Sequence, residues 1–271
     1  MREMLLGLSK GRRVWDLERS VTEMRLPTGE MSWVSSVLEK KRAIDEVIKT
    51  AYAEKDHLSS FPPFCRYDRN GLSVYLESGL GEKLSSSMKR YIQNLLKVNM
   101  EGPYGPEWPT EEKVKRKEMV SPDARYIIVR EAPDAKVDDT SKAGREMCST
   151  CWMGDGDPVV GFVHYRFIVE EDTPVVYIYE LQLESCVQGR GLGKFLMQLI
   201  ELIARKNRLG AVMLTVQKAN VSAMNFYRSK LRYVISTISP SRVDPLIGAE
   251  KNYEILCKTF DREAKAKLED C

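Results

Sequence analysis

The chain has 271 residues, of which 43% are hydrophobic and 30% charged, so it can bury a core and global disorder is excluded. Its 42 basic and 39 acidic residues leave a net charge of +3, which gives no reason to expect direct nucleic-acid binding. No apolar stretch is long enough to span a bilayer, so we expect no membrane association.

Residues 1–30 are interpreted as a flexible extension, because their apolar run is too short and misplaced for a secretory signal. Hydrophobic periodicity and turn signals predict the elements that follow. The predicted helices cover residues 31–57, 82–100, 110 to before 121, 193 to before 210, and 220–230. The predicted strands cover residues 72–76, 125–130, 158–169, 174–185, 211–216, 233–238 and 253–257.

The segment from 180 to 216 is predicted to be a βαβ crossover, which requires a parallel strand pair. Because antiparallel strands precede it, the order of elements predicts an α+β fold with a mixed central sheet flanked by helices. The domain boundaries that we expect are 1–30 for the extension, 31–60 for an N-terminal helix packed on the domain, 61–260 for the main domain and 261–271 for a charged tail. Residues 131–157 lack any period and are interpreted as a loop insertion.

Two segments of the main domain draw attention by composition. Glu101 to Pro109 is predicted to be a loop that prolines stiffen and that presents Tyr104 and Trp108. Gln188-Gly189-Arg190-Gly191-Leu192-Gly193-Lys194 lies between a predicted strand and a predicted helix. Its glycines allow successive amides to face a ligand, and the helix start adds unpaired donors and a positive dipole end.

This glycine loop predicts a site for a pyrophosphate, with Arg190 and Lys194 adding charge at its edge. A P-loop needs Ser or Thr where Phe195 follows Lys194, and the glycine spacing does not match the dinucleotide-binding fingerprint. A glycine turn without a ligand is the alternative.

The Gln/Arg-x-x-Gly-x-Gly pattern of Gln188 to Gly193 resembles the coenzyme A loop of the GNAT acetyltransferase superfamily. The resemblance implies acetyl-CoA as the acetyl donor, no metal, and a strand near 212–216 that splays from its neighbour to admit the pantetheine arm. The residues that it assigns to the cofactor are Leu181, Leu183, Gln188, Gly189, Arg190, Gly191, Leu192, Gly193, Lys194, Asn220 and Tyr227. For Asn220 a helix N-cap, and for Tyr227 a core-edge aromatic, are equally open alternatives.

Longer runs resemble one branch of that superfamily, the NatD family of N-terminal acetyltransferases selective for histones that begin Ser-Gly-Arg-Gly. They include Phe61-Pro62-x-Phe64-x-x-Tyr67-Asp68-Arg69-Asn70-Gly71-Leu72, Tyr179-Glu180-Leu181-Gln182-Leu183-Glu184-Ser185 and Gly191-Leu192-Gly193-Lys194-Phe195-Leu196. The similarity covers about 61–130 and 158–260. It implies histone N-terminal tails as partners and a location in nucleus and cytoplasm, and we expect a monomer.

Glu180 lies in the middle of an apolar predicted strand, where a carboxylate needs a reason. Acetyl transfer requires a neutral amine, and an α-amino group has a pKa of roughly 7.7–8.0. We therefore interpret Glu180 as the general base, with a salt bridge at the end of the sheet as the alternative. The resemblance gives Tyr104 a supporting acid–base or positioning role and makes Trp108 a wall of the pocket. Simple packing is the alternative for both.

Recognition of an arginine at the third substrate residue requires acids. Glu170 matches an acid of the family, but Ile168 stands where the family has an aspartate, so arginine recognition would be weakened or left to Glu170. A solvated hairpin turn is the alternative. Tyr177 and Tyr179 are predicted to line the peptide groove on one strand face with Leu181. The resemblance makes Tyr253 a contact of the substrate backbone, and a core role is the alternative for all three tyrosines.

The six cysteines are scattered, which favours free thiols in a reducing compartment. Cys148 and Cys151 form a close pair, but a zinc site needs further ligands and the chain has only two histidines. Two other functions stay open. One is a GNAT enzyme that acetylates lysine side chains or small amines, and the other is a non-catalytic module that binds acyl-CoA or histone tails.

Overall fold

The computed structural model describes residues 28–133, 154 and 156–269. Among these residues one sheet is formed by eight strands, β1 (Arg66–Arg69), β2 (Leu72–Leu80), β3 (Arg125–Glu131), β4 (Val159–Glu170), β5 (Thr173–Leu183), β6 (Ala211–Gln217), β7 (Val234–Ile235) and β8 (Tyr253–Thr259). Their order across the sheet is β1-β2-β3-β4-β5-β6-β8-β7. The α-helices are α1 (Thr28–Ala53), α2 (Ser86–Tyr104), α3 (Trp108–Glu118), α4 (Leu192–Lys206), α5 (Val221–Asn225), α6 (Pro240–Val243), α7 (Pro245–Glu250) and α8 (Arg262–Leu268).

The predicted N-terminal helix is confirmed and packs on the sheet. Ala51 of α1 is fully buried, and the Tyr52 hydroxyl donates to the Phe167 carbonyl at 2.9 Å while accepting from the Phe167 amide at 3.1 Å. This pair of bonds ties α1 to the backbone of β4.

The sheet is mixed, as predicted. Within the described part of the chain, β5 and β6 are its parallel pair and α4 connects them, while the other neighbours run antiparallel. Apolar side chains of α4 and α1 cover one face of the sheet, and those of α2 and α3 cover the other. The α+β class is therefore confirmed, with the crossover near the middle of the strand order.

The strands β5 and β6 separate before they end. Their pairing runs from Val175 with Ala211 to Ile178 with Leu214 and stops there, although β5 continues to Leu183. The predicted splay is confirmed, and it leaves the last residues of β5 without a neighbouring strand on that side. We refer to this opening as the cleft.

A β-bulge interrupts β5 beside the cleft. His164 pairs with Glu180 but Tyr165 pairs with Ile178, so Tyr179 is an extra residue in β5. A bulge breaks the alternation of side chains between the two faces. Paired residues share a face, so Glu180 faces α2 and α3 with His164. Leu181 packs into the opposite core, so the prediction that it shares a face with Tyr177 and Tyr179 is wrong.

The predicted proline-stiffened loop is instead a helical corner. Helix α2 continues through Pro103 to Tyr104, a short 3-10 turn follows at Gly105–Glu107, and α3 begins at Trp108. Pro106 and Pro109 are the second residues of these two elements, within the first turn, where a missing N–H costs nothing. The prolines therefore start new helical turns.

The residues interpreted as a charged tail form α8 as far as Leu268. Asp261 caps this helix by accepting from the Ala264 amide at 2.8 Å. Leu268 is fully buried and packs with Met213 and Cys257, so α8 covers the outer part of the sheet.

Candidate active site

The glycine loop has the geometry of an anion cradle. Gly189 and Gly191 adopt positive φ angles of 72° and 87°, which favour glycine, and Gly191 is the residue before α4. Among the described residues, no carbonyl or side chain accepts from the backbone N–H groups of residues 189–194. These amides and the start of α4 form an array of donors that fits a pyrophosphate.

The loop is fixed to the end of β5. The Gln188 side-chain amide donates to the Leu183 carbonyl at 2.9 Å, and Asn99 of α2 donates to the same oxygen at 3.2 Å. Arg190 and Lys194 are exposed at the edge of the loop, whereas the Leu192 side chain is buried in the core. Leu192 can therefore contribute only its backbone to a ligand.

The cradle and the cleft adjoin at the carboxyl end of β5. A pyrophosphate at the amides of residues 189–194 would have the opening between β5 and β6 beside it, with room for an extended chain. The residues present thus fit the pyrophosphate and the pantetheine arm of an acyl-CoA molecule. Gly193 packs closely on Phe226, where a Cβ would approach the ring to 3.3 Å.

Glu180 lies at the bulge and is 7% exposed. One carboxylate oxygen is ion-paired with Lys115 Nζ, and the other accepts from Gln182 Nε2 at 2.9 Å. Gln182 in turn accepts from Asn99 Nδ2 at 3.0 Å. The alternative interpretation of Glu180, a salt bridge, is therefore also met, but this ion pair joins α3 to β5 beside the cleft and holds the carboxylate in one orientation.

Lys115 was missed by sequence reasoning, which treated α3 as a charged helix. Its side chain is buried under the sheet. Burial opposes the charged form, but the Glu180 carboxylate outweighs it and raises the pKa of Lys115. The spacing of apolar residues could have indicated that Lys115 is buried. Trp108 lies seven residues before it and Met119 four residues after it, so all three share one helix face.

Tyr104 ends α2 beside this ion pair. Lys115 Nζ lies 5.3 Å from the centroid of its ring. Burial raises the pKa of the Tyr104 hydroxyl, the Lys115 charge opposes this in part, and the Glu180 charge adds to it. The hydroxyl is therefore protonated at neutral pH. Trp108 is 3% exposed, and its ring centroid lies 6.0 Å from that of Tyr104. It packs in the core, which matches simple packing, the alternative role given for it above.

An aromatic stack borders Glu180 on the sheet. His164 lies between Tyr126 and Tyr179, with ring centroids 4.9 and 5.0 Å away, and the Arg166 guanidinium lies 4.2 Å over the Tyr179 ring. Burial, with the charges of Arg166 and Lys115, holds the pKa of His164 well below its ordinary value. His164 is therefore neutral and supplies no charge to the site.

The remaining substrate candidates are spread along the sheet. The Tyr177 hydroxyl lies 2.5 Å from Thr215 Oγ1, and this contact joins β5 to β6. Tyr253 is half-buried and pairs with Gln217 across β8 and β6. Glu170 ends β4, and burial with the neighbouring Glu171 charge raises its pKa.

The structure does not bring Glu170 to Glu180. Glu170 lies six residues after His164 on β4, a distance of roughly 20 Å along the strand, and His164 is the residue that pairs with Glu180. Ile168 lies between His164 and Glu170 on this strand, and its side chain packs on the apolar cluster that contains Val175 and Met213.

Asn220 and Tyr227 take the structural roles that were left open for them. Asn220 caps α5 by accepting from the Ala223 amide at 3.0 Å. Tyr227 is buried, with ring centroids 5.0 Å from Phe226 and 6.1 Å from Tyr233.

No helix in the described part of the chain combines the length and apolarity needed to cross a membrane. Among the same residues, no three His, Cys, Asp or Glu side chains group as ligands of a metal ion. The Cys148 and Cys151 pair lies outside the described residues.

The family comparison matches residues 101–231 with the acetyltransferase (GNAT) family. Three solved structures share similarity at low identity. PaiA N-acetyltransferase from Thermoplasma acidophilum, in complex with coenzyme A, is 15% identical over 70% of this chain and 100% of that one, with a TM-score of 0.44. The NatC complex bound to Gag peptide and CoA is 14% identical over 69% of this chain and 99% of that one, with a TM-score of 0.44. Arabidopsis thaliana Naa50, in complex with the bisubstrate analogue CoA-Ac-MVNAL, is 17% identical over 69% of this chain and 99% of that one, with a TM-score of 0.40.

Proposed function

Because the chain contains a GNAT acetyltransferase domain, we propose that it moves the acetyl group of acetyl-CoA to the free α-amine of histone tails that begin Ser-Gly-Arg-Gly. One observation carries the proposal: the buried, oriented carboxylate of Glu180 lies at a bulge beside the cleft and the glycine loop. The proposed substrate implies action in cytoplasm and nucleus, and we further propose that the protein acts as a monomer.

The chain's own groups hold the acetyl donor at two places. The amides of residues 189–194 bind the pyrophosphate, with Arg190 and Lys194 at its edge, and the cleft takes the pantetheine arm. Acetyl-CoA supplies an activated thioester when it is bound. A backbone amide near the end of β5 would polarise a carbonyl there.

Glu180 manages the proton of the attacking amine. The carboxylate accepts this proton directly or through one water, and Lys115 faces it with the opposite charge in its buried position. The neutral amine nitrogen would then form a bond to the acetyl carbon as the bond from that carbon to sulfur breaks. The second proton that the nitrogen loses, and the proton held by Glu180, would pass to solvent water. Tyr104, which is protonated, donates to the departing sulfur and regains its proton from solvent.

The choice of an α-amine rests on acidity. An α-ammonium with a pKa of roughly 7.7–8.0 is partly neutral at physiological pH, whereas a lysine ammonium near 10.4 is not. Less deprotonation is needed to make the α-amine neutral, which favours it as the acetyl acceptor. Lysine acetylation at the same site is the competing outcome of the experiment below.

The histone preference rests on the resemblance of the long sequence runs and on Glu170. An arginine at the third substrate residue would have to extend along β4 to reach this carboxylate, because Ile168 offers no charge on the way. Because Glu170 lies far along β4 from Glu180, we expect selectivity for this arginine to be weakened and what remains of it to depend on Glu170.

A peptide panel tests the proposed function. The purified chain is incubated with acetyl-CoA and a peptide beginning Ser-Gly-Arg-Gly, the same peptide with a blocked α-amine, and one with arginine changed to alanine. The proposal predicts acetylation of the free, arginine-containing peptide and reduced acetylation of the alanine peptide. Acetylation of the blocked peptide would assign a lysine acetyltransferase, and no acetylation despite CoA binding would assign a non-catalytic module.

A further inference from the structure

The turn between β1 and β2 belongs to a sequence run that the proposed chemistry does not use. Asn70 and Gly71 form its two-residue loop, with φ angles of 56° and 69°. Positive φ at both positions is typical of the type I′ hairpin turn that Asn-Gly favours. This turn places the Asn70 side chain and the Tyr67 hydroxyl against the glycine loop.

Three hydrogen bonds join the hairpin to a single residue of the glycine loop. The Arg190 carbonyl accepts from the Tyr67 hydroxyl at 2.6 Å and from Asn70 Nδ2 at 2.8 Å. The Arg190 guanidinium donates to the Gly71 carbonyl at 3.1 Å. The Tyr67 ring, which is buried, also packs on Phe195 in the first turn of α4 at 5.0 Å between centroids.

These bonds determine where the next amide points. In a planar trans peptide the C=O and N–H groups point in opposite directions. Because the Arg190 carbonyl is held towards the hairpin, the N–H of Gly191 points away from it, to the side where no acceptor of the described chain lies. Gly191 has φ of 87°, and a Cβ there would lie 2.8 Å from the Tyr67 hydroxyl, so hairpin and loop are fitted closely.

We propose that Tyr67 and Asn70 are positioning residues for the acyl-CoA pyrophosphate, which hold the Arg190–Gly191 peptide so that its N–H faces the phosphate. The proposal rests on acetyl-CoA binding by the glycine loop. Neither side chain touches the cofactor. They act by fixing a donor before the ligand arrives, which lowers the ordering cost of binding.

The test uses a variant that keeps the hairpin's shape. Tyr67→Phe removes one hydroxyl and keeps the ring, and Asn70→Gly removes the side-chain amide at a position where glycine accepts positive φ. For Tyr67→Phe/Asn70→Gly we expect the dissociation constant of CoA, measured by calorimetry, to rise roughly 10- to 30-fold. The matched control is Ser73→Ala, on the same hairpin, whose hydroxyl contacts Asp68 and not the loop.

A second acetyl donor separates positioning from general damage. S-acetyl-pantetheine lacks the pyrophosphate, so the double variant should lower kcat/KM for acetyl-CoA but leave kcat/KM for S-acetyl-pantetheine unchanged. Equal losses with both donors, or an unchanged CoA dissociation constant in the variant, would overturn the proposal. Absence of CoA binding by the unaltered protein would instead refute the proposed function itself.

Discussion

Lys115 and Glu180 are both buried, and each charge is stable there because the other faces it. Removal of one partner from such a pair leaves an uncompensated charge in a poorly solvated place, which costs more than the pair contributes. Gln182 and Asn99 extend the pair into a network that spans β5 and α2. The base is thus held by contacts from three elements.

Lys115→Met is predicted to destabilise the protein by roughly 3–5 kcal/mol and to abolish most of its activity, because the Glu180 charge loses its partner. Glu180→Gln should be costly for the converse reason. The double variant should cost clearly less than the sum of the two. Urea denaturation of all four proteins measures this coupling, with Lys113→Met, exposed on the same helix, as control. Simple additivity would show that the ion pair does not form in solution.

At the residue scale the sequence was informative where a residue type was out of place. A carboxylate in the apolar run of β5 identified Glu180, and the glycines identified the cradle. It was uninformative where a residue matched its surroundings. Lys115 stands among other charged residues of α3, and only its helical register distinguishes it as buried.

At the scale of elements, periodicity predicted most helices and strands but not the irregularities that build the site. Strict alternation along β5 put Leu181 on the face of Tyr177, and the bulge at Tyr179 reversed this, because no local sequence signal marks a bulge without glycine. The sequence predicted a loop at the corner between α2 and α3 because prolines in the first turn of a helix resemble prolines that break helices.

Helix α8 provides a direct test of an element whose packing the charged sequence concealed. Leu268→Ala should destabilise the protein by roughly 2–5 kcal/mol, since it empties a fully buried site against Cys257 and Met213. Lys265→Ala on the exposed side of α8 should change stability by less than about 0.5 kcal/mol. Urea denaturation compares them, and equal midpoints would mean that α8 is detached in solution.

At the scale of the whole molecule, the two sheet faces bury the only two histidines of the chain, His57 and His164. Burial lowers the pKa of both. The unfolded chain then binds protons near pH 6.5 that the folded chain does not. Stability contributed by the neutral histidines is therefore present above this pH and is lost as the pH falls below it.

We predict that the free energy of unfolding falls between pH 7.5 and pH 5.5, and that His164→Gln makes this fall smaller. The difference in slope should approach about 1.4 kcal/mol per pH unit below pH 6.5. Glu170, whose pKa burial raises, acts in the opposite direction but is present in both proteins and cancels. Identical pH slopes for the two proteins would show that His164 is protonated or exposed in solution.

Acetyl transfer by this chain depends most on Glu180 as the group that takes the amine proton, and the steady-state rate of Glu180→Gln tests this role most directly. The isosteric amide cannot accept the proton, so kcat/KM for the free N-terminal peptide should fall by about 10²- to 10⁴-fold. CoA binding, measured on the same sample, should be unchanged because Glu180 lies outside the glycine loop. A variant that binds CoA and retains full activity from pH 6 to pH 9 would contradict the assignment.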